Sequence, residues 1–211
     1  ARQTCCGQPG YNSGDRRAAQ ALARKLLREF KDVDYVVVPS GSCGGTIKTH
    51  FPEVLSDFPE LRAEVEWLVA RTWELTDFLV EVLKIDRVPG RFRGTVTYHD
   101  SCSGLREMGV KAQPRALLAL VPGLVLREMS APEQCCGFGG TFCISYRDMS
   151  QSLLGKQARH LLDTKAGTVV TSCPGCMLYL GREITNRPVI HLIELIEEAY
   201  CLRTLYQEPV L

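Results

Sequence analysis

The sequence predicts an α/β fold built from two related halves with parallel, Rossmann-like sheets, and three observations carry that reading. Short β-branched runs at 33–38, 94–99 and 167–172 alternate with stretches of helical periodicity. Such alternation is the signature of βαβ units and a parallel sheet. A frame also recurs. Cys5-Cys6-Gly7, a helix, then Val36-Val37-Val38-Pro39-Ser40-Gly41-Ser42-Cys43 parallels Cys135-Cys136-Gly137, a helix, then Val169-Val170-Thr171-Ser172-Cys173-Pro174-Gly175-Cys176. An internal repeat of this kind implies repeated supersecondary units. Finally, Pro89-Gly90 punctuates the chain between the two copies. We expect a first repeat over residues 1–90 and a second over 91–211.

Taken in order, residues 16–30 place Leu22, Leu26, Leu27 and Phe30 on one helical face. The run 33–38 reads as a buried strand, and Pro39 ends it. Apolar residues from Leu61 to Val82 keep helical spacing, so 60–84 is expected to be two helices or one bent helix. After the break come a strand at 94–99, a helix at 113–120, a strand at 123–129 and a long helix at 146–163. A buried strand at 167–172, a helix at 176–184, a short strand at 188–191 and a helix at 192–206 complete the pattern.

Bulk properties narrow the function. Hydrophobic residues are 45% and charged residues 23% of the 211, the balance of an ordinary globular chain. A net charge of +1 argues against nucleic acid as a partner. No apolar run approaches the length of a membrane span. The opening Ala-Arg-Gln-Thr-Cys-Cys does not read as a charged-then-apolar leader. It lacks Met and begins directly on a motif, so residues of the natural front are expected to be missing. Ten cysteines are the outlier. Long helical patterns favour thiolate ligands over a disulfide framework, which belongs to small secreted scaffolds.

Five of those cysteines form one constellation. Cys102 follows a strand, Cys135 and Cys136 are adjacent, and Cys173 and Cys176 follow another strand. Loops after parallel strands gather at one sheet edge, where open α/β folds put their sites. Thiolates suit zinc or iron in clusters, and five candidates exceed what a simple cubane or structural zinc needs. Gly137, Gly139 and Gly140 would let backbone N–H groups approach sulfur. A helix beginning after Cys176 would add its positive end. Cys143 and Cys201 lie outside the frame and read as packing residues. His99 and Asp100 either tune such a site or cap a turn. His191 reads as a core or edge histidine, and His50 and His160 as surface residues.

The order Cys, Cys-Cys-Gly, Cys-x-x-Cys resembles the cysteine-rich CCG domain family. The likeness rests on Cys5-Cys6-Gly7-Gln8-Pro9-Gly10-Tyr11-Asn12-Ser13-Gly14, Val37-Val38-Pro39-Ser40-Gly41-Ser42-Cys43, Tyr98-His99-Asp100-Ser101-Cys102, Cys135-Cys136-Gly137-Phe138-Gly139-Gly140-Thr141-Phe142 and Thr171-Ser172-Cys173-Pro174-Gly175-Cys176. The sequence is similar to the lactate-utilisation members in particular. It is also related to the B subunit of heterodisulfide reductase and the iron–sulfur subunit of glycolate oxidase. The resemblance implies a [4Fe–4S] cluster, non-cubane in the heterodisulfide reductase relative, held by Cys102, Cys135, Cys136, Cys173 and Cys176. It implies a cytoplasmic oxidoreductase subunit that carries electrons in L-lactate oxidation, with further subunits as partners, one of them also iron–sulfur. The alternatives are a heterodisulfide or thiol–disulfide reductase-type catalytic subunit and a zinc-stabilised binding module. Aerobic handling would strip such a cluster and leave thiols free to form disulfides.

The first repeat departs from the family pattern. Ser40 replaces the first Cys of Cys-x-x-Cys, and no strand-end Cys precedes Cys5. Cys5, Cys6 and Cys43 remain as a possible second site, able to hold a cluster with an outside ligand, zinc, or nothing. An assembled first cluster is not expected.

Overall fold

A computed structural model describes residues 4–205, with side chains from Thr4 to Tyr200. The first part runs α1 (Gln8–Asn12), α2 (Arg16–Glu29), β1 (Val36–Val38), α3 (Gly41–Gly45), a π-helical turn (Thr46–His50), α4 (Phe51–Val54), α5 (Arg62–Arg71), β2 (Thr72–Glu74), α6 (Leu75–Asp77) and a second π-helical turn (Phe78–Val82). The second runs β3 (Gly94–His99), α7 (Cys102–Met108), α8 (Ala112–Ala119), β4 (Leu124–Leu126), α9 (Phe142–Ser145), α10 (Arg147–Asp163), β5 (Thr168–Thr171), α11 (Pro174–Glu183), β6 (Val189–His191) and α12 (Leu192–Leu205). Among the described residues no helix is long and apolar enough to cross a membrane.

All strand pairs are parallel. β1 pairs with β2, and the second sheet has the order β4-β3-β5-β6. The fold is thus the expected α/β arrangement with parallel sheets, though the halves are unequal, two strands against four. β5 shows why its sequence is apolar throughout. Val169 packs among Leu161, Leu180 and Cys173 on one face, while Val170 packs among Leu117, Leu195 and Tyr98 on the other. Both faces of a parallel strand are covered by helices.

Of the two arrangements expected for 60–84, the structure has two helical stretches and not one bent helix, and what separates them is an unexpected strand, β2. Val36 pairs with Thr72 and Val38 with Glu74. Thr72 and Glu74 are buried, and the Glu74 carboxylate accepts from the Thr76 and Asp77 amides, which starts α6. A β-branched residue and an aromatic in Thr72-Trp73 favour the pleated state locally, but three residues are too few to stand out against the helical spacing around them. Leu79, Val80 and Val88 then pack against the core of the four-stranded sheet.

The two parts interlock along α3 and α7. Ser40 and Ser101 cap these helices, each hydroxyl accepting from an amide three residues on, at 3.5 Å. A methyl group at Gly41 would lie 2.7 Å from the Gly104 Cα and N atoms. Only glycine permits that approach, which explains a helix written Gly-Ser-Cys-Gly-Gly despite its poor propensity.

Candidate metal centre

Three strand ends deliver the site. After β1 comes Ser40 at the start of α3, after β3 comes Ser101 at the start of α7, and after β5 comes Cys173 at the start of α11. Pro174 occupies the first turn of α11, where its missing N–H costs nothing. The loop from Cys135 to Gly140 reaches over the same edge. Its turn depends on Gly137, whose φ of 88° places it in the left-handed region. The Ser150 hydroxyl donates to the Gly137 carbonyl at 2.6 Å and pairs with the Tyr179 hydroxyl at 2.5 Å.

The five sequence-nominated thiols are brought together in a chain. Cys102 contacts Cys135, Cys135 contacts Cys136, Cys136 contacts Cys176, and Cys176 contacts Cys173. The Cys136 and Cys176 sulfurs are 3.4 Å apart. The Gly137 amide donates to the Cys135 sulfur at 3.3 Å. Cys136, Cys173 and Cys176 are buried; Cys102 and Cys135 are partly exposed. All nine cysteines described are free thiols.

Their environments separate them. Hydrogen bonds with Cys135 and Cys176 pull Cys136 down to about 5 against the opposing cost of burial. The Cys176 thiol, then its amide and Ser42, hold Cys173 well below the ordinary thiol range despite burial. Cys176 is pushed up by its bonds to Cys136 and Cys173 and by burial. Cys102 is raised by its bond to Cys135 and by desolvation. Cys135 gains a bond from Cys102, but its bond to Cys136 and burial leave it raised. Two sulfurs are therefore prepared as thiolates, the form that binds metal.

His99 joins this group. Its ring nitrogen and the Cys136 and Cys176 sulfurs lie within 4.8 Å of one another, all three residues buried. That set is able to hold a metal ion. Gln157 bonds His99 Nδ1 at 2.9 Å, while His99 Nε2 is buried with no partner among the described residues. Desolvation holds the ring neutral, with its pKa lowered to about 4. Asp100 plays a different part: both its oxygens are taken by Arg115 at 2.9 Å. His191 is a buried residue whose Nδ1 accepts from the Ile193 amide at 3.3 Å. His50 is half-buried rather than on the surface, stacked on Tyr11 at 4.5 Å.

The first-repeat residues adjoin the same place. Cys6 and Cys43 form a contact pair; Cys43 is lowered to about 7 by its bond with Cys6, against burial, with help from Ser40 and Ser42. The Gly7 amide donates to the Cys5 sulfur at 3.4 Å. Ser40 and Ser42 place their hydroxyls 3.8 and 3.6 Å from the Cys173 sulfur. Asn12 donates to the Gly139 carbonyl at 3.3 Å, tying the first repeat to the second cysteine loop. Cys143 donates to the Gly140 carbonyl at 3.1 Å and borders a groove with Arg147, Tyr179 and Arg182. Cys201 lies outside the residues whose side chains are described. The sequence flagged Ser40 only as a missing cysteine. Nothing in the pattern pointed to Ser42, Ser150, Gln157 or Tyr179, whose roles arise from tertiary placement.

A parallel α/β scaffold with cysteine-bearing loops at one sheet edge is the architecture of a class, and the sequence matches it. Residues 1–48 and 96–181 match the cysteine-rich domain family abbreviated CCG, and the chain belongs to that family. Among curated relatives, Lactate utilization protein A of Geobacillus kaustophilus is 41% identical over 198 residues, covering 92% of this chain and 82% of the relative. The protein of the same name from Oceanobacillus iheyensis is 38% identical over 200 residues, 93% of this chain and 82% of the relative. Lactate utilization protein A 2 of Bacillus mycoides is 36% identical over 198 residues, 92% and 82%.

Proposed function

We propose that the chain is an iron–sulfur electron-transfer subunit of a multi-protein system that oxidises L-lactate or a related 2-hydroxy acid. The observation that carries this reading is the convergence of Cys102, Cys135, Cys136, Cys173 and Cys176 from three separate segments onto one sheet edge. The donor set suits an anionic, sulfur-ligated group: five thiols in mutual contact, an amide aimed at Cys135, and a buried imidazole nitrogen left unpartnered beside Cys136 and Cys176. Those five cysteines would hold a [4Fe–4S] assembly, non-cubane if all five bind. Bound there, it supplies reversible one-electron storage, with a potential set by ligands, hydrogen bonds and exposure.

The chain's own residues do the rest. Gly137 and Cys136 fix the loop, Tyr179 and Ser150 brace it, and His99 stays neutral inside the sheet edge. Lactate as the substrate rests on the names of the relatives. Further subunits, a second iron–sulfur protein among them, would deliver and remove electrons. Iron, sulfide and zinc quantitation on anaerobic protein tests the proposal. About four irons with matching sulfide per chain is the expected result; zinc alone overturns it.

One observation favours a second reading, thiol–disulfide or heterodisulfide reduction. Cys136 and Cys176 are 3.4 Å apart, with Cys136 drawn down to about 5 and Cys176 pushed up. A thiolate beside a proton-holding thiol suits disulfide exchange. Anaerobic assay with a disulfide substrate separates the readings, since an electron carrier gives no turnover alone.

A further inference from the structure

The geometry points to Ser42, backed by Ser40, as the positioning residue through which the first repeat sets the reduction potential of the group held by the second. This inference rests on the iron–sulfur reading above. Cys173 belongs to the second repeat, starts α11 and is buried. Its own repeat supplies the Cys176 amide as a donor. From across the junction come the Ser42 amide and the Ser42 hydroxyl, the hydroxyl at 3.6 Å, with the Ser40 hydroxyl behind it at 3.8 Å from the sulfur. Ser40 and Ser42 are 3.0 Å from each other, and Ser40 accepts from the Cys43 amide at 3.5 Å.

Ligation fixes the direction of this chain. A metal-bound thiolate has no proton and can only accept, so Ser42 must donate to Cys173. Ser40, already accepting from Cys43 N–H, is then free to donate to the Ser42 oxygen. Hydrogen bonds in series polarise one another, and this series ends on one ligand sulfur. One-electron reduction adds one negative charge, shared between iron and sulfur. A donor held against the sulfur stabilises that added charge more than the oxidised state, and no proton leaves the serine. Removing the donor therefore lowers the potential. Ser40 stands where the second repeat has Cys173, so the residue lost as a ligand has become part of the support for its counterpart.

The test compares wild type, Ser42→Ala and Ser42→Thr after anaerobic reconstitution. Ser40 caps a helix, so it is left intact, and Ser42→Ala removes only a half-buried hydroxyl. Iron and sulfide per chain stay at the wild-type level in all three. Redox titration followed by visible absorption and electron paramagnetic resonance reads the effect. In Ser42→Ala the oxidised-to-reduced ratio at fixed potential rises about tenfold, a midpoint lower by about 59 mV for one electron. Ser42→Thr, which keeps the hydroxyl, returns to wild type. An unshifted midpoint at equal iron, or Ala and Thr shifted alike, overturns the inference. Zinc without iron in the wild type overturns the iron–sulfur reading instead. Release of that zinc to a chelator then reads Ser42 directly: faster release from Ser42→Ala than from wild type and Ser42→Thr supports its contact with Cys173, and equal release overturns it.

Discussion

Cys5-Cys6-Gly7 and Cys135-Cys136-Gly137 adopt the same local form. Gly7 has φ of 92° and Gly137 of 88°. Each glycine amide donates to the first sulfur, at 3.4 and 3.3 Å. Each second cysteine is buried, Cys6 at 3% exposure and Cys136 at 1%. Their chemistry diverges all the same. Cys136 is drawn down to about 5 by bonds with Cys135 and Cys176. Cys6 is pushed far up by its bond with Cys43 and by burial. The loop backbone builds the seat for a sulfur, but the residues that meet it from other strand ends decide whether the sulfur becomes a ligand.

The largest test of this contrast is metal content. Cys136→Ala should abolish most of the bound iron, whereas Cys6→Ala should leave iron per chain unchanged, both read by metal analysis of anaerobic protein. Equal losses would make the two loops functionally alike. Next is backbone strain. A Cβ on Gly137 would lie 2.5 Å from the Ser150 carbonyl oxygen, while the nearest atom to one on Gly7 is at 3.4 Å. Gly137→Ala should therefore cost about 3 kcal/mol, strain plus clash, and Gly7→Ala about 1 kcal/mol. Urea unfolding midpoints measure both.

The third test concerns one titratable residue buried at a strand end in each repeat, Glu74 in the first and His99 in the second. Desolvation raises Glu74 from 4.5 to about 6, opposed by its bonds with Thr76 and Asp77. The folded state thus binds a proton more tightly than the unfolded chain. Its contribution to stability is full below pH 4.5 and is lost as pH rises through 6. The loss is at most about 2 kcal/mol. Glu74→Gln should abolish this decline, seen by comparing unfolding midpoints at pH 5 and 7.5. The smallest effect is expected from Asn12→Ala, which removes the bond to Gly139. A cost of about 0.5–1 kcal/mol should appear, with faster amide exchange in the second cysteine loop.

Much of this molecule was legible in the sequence, where signals were long or repeated. The helix at 146–163 and the strands at 94–99 and 167–172 declared themselves by period and β-branching, and they lie at Arg147–Asp163, Gly94–His99 and Thr168–Thr171. The five cysteines stood out by order. What escaped was written in contacts. β2 is three residues whose strand state comes from pairing with β1. α3 has the composition of a loop and is helical because Ser40 caps it and Gly104 leaves room beside it. Ser42 carries no motif, and only the approach of α3 to α11 puts it beside Cys173.

The glycine contact between α3 and α7 has a thermodynamic consequence. With Gly41 against the Gly104 backbone, the two helices share one surface that neither can cover alone. Opening one half would expose the other, so the halves should share one melting point. Heat should unfold the chain in one calorimetric step whose enthalpy matches its van't Hoff value. A two-half architecture would then behave as a single cooperative unit.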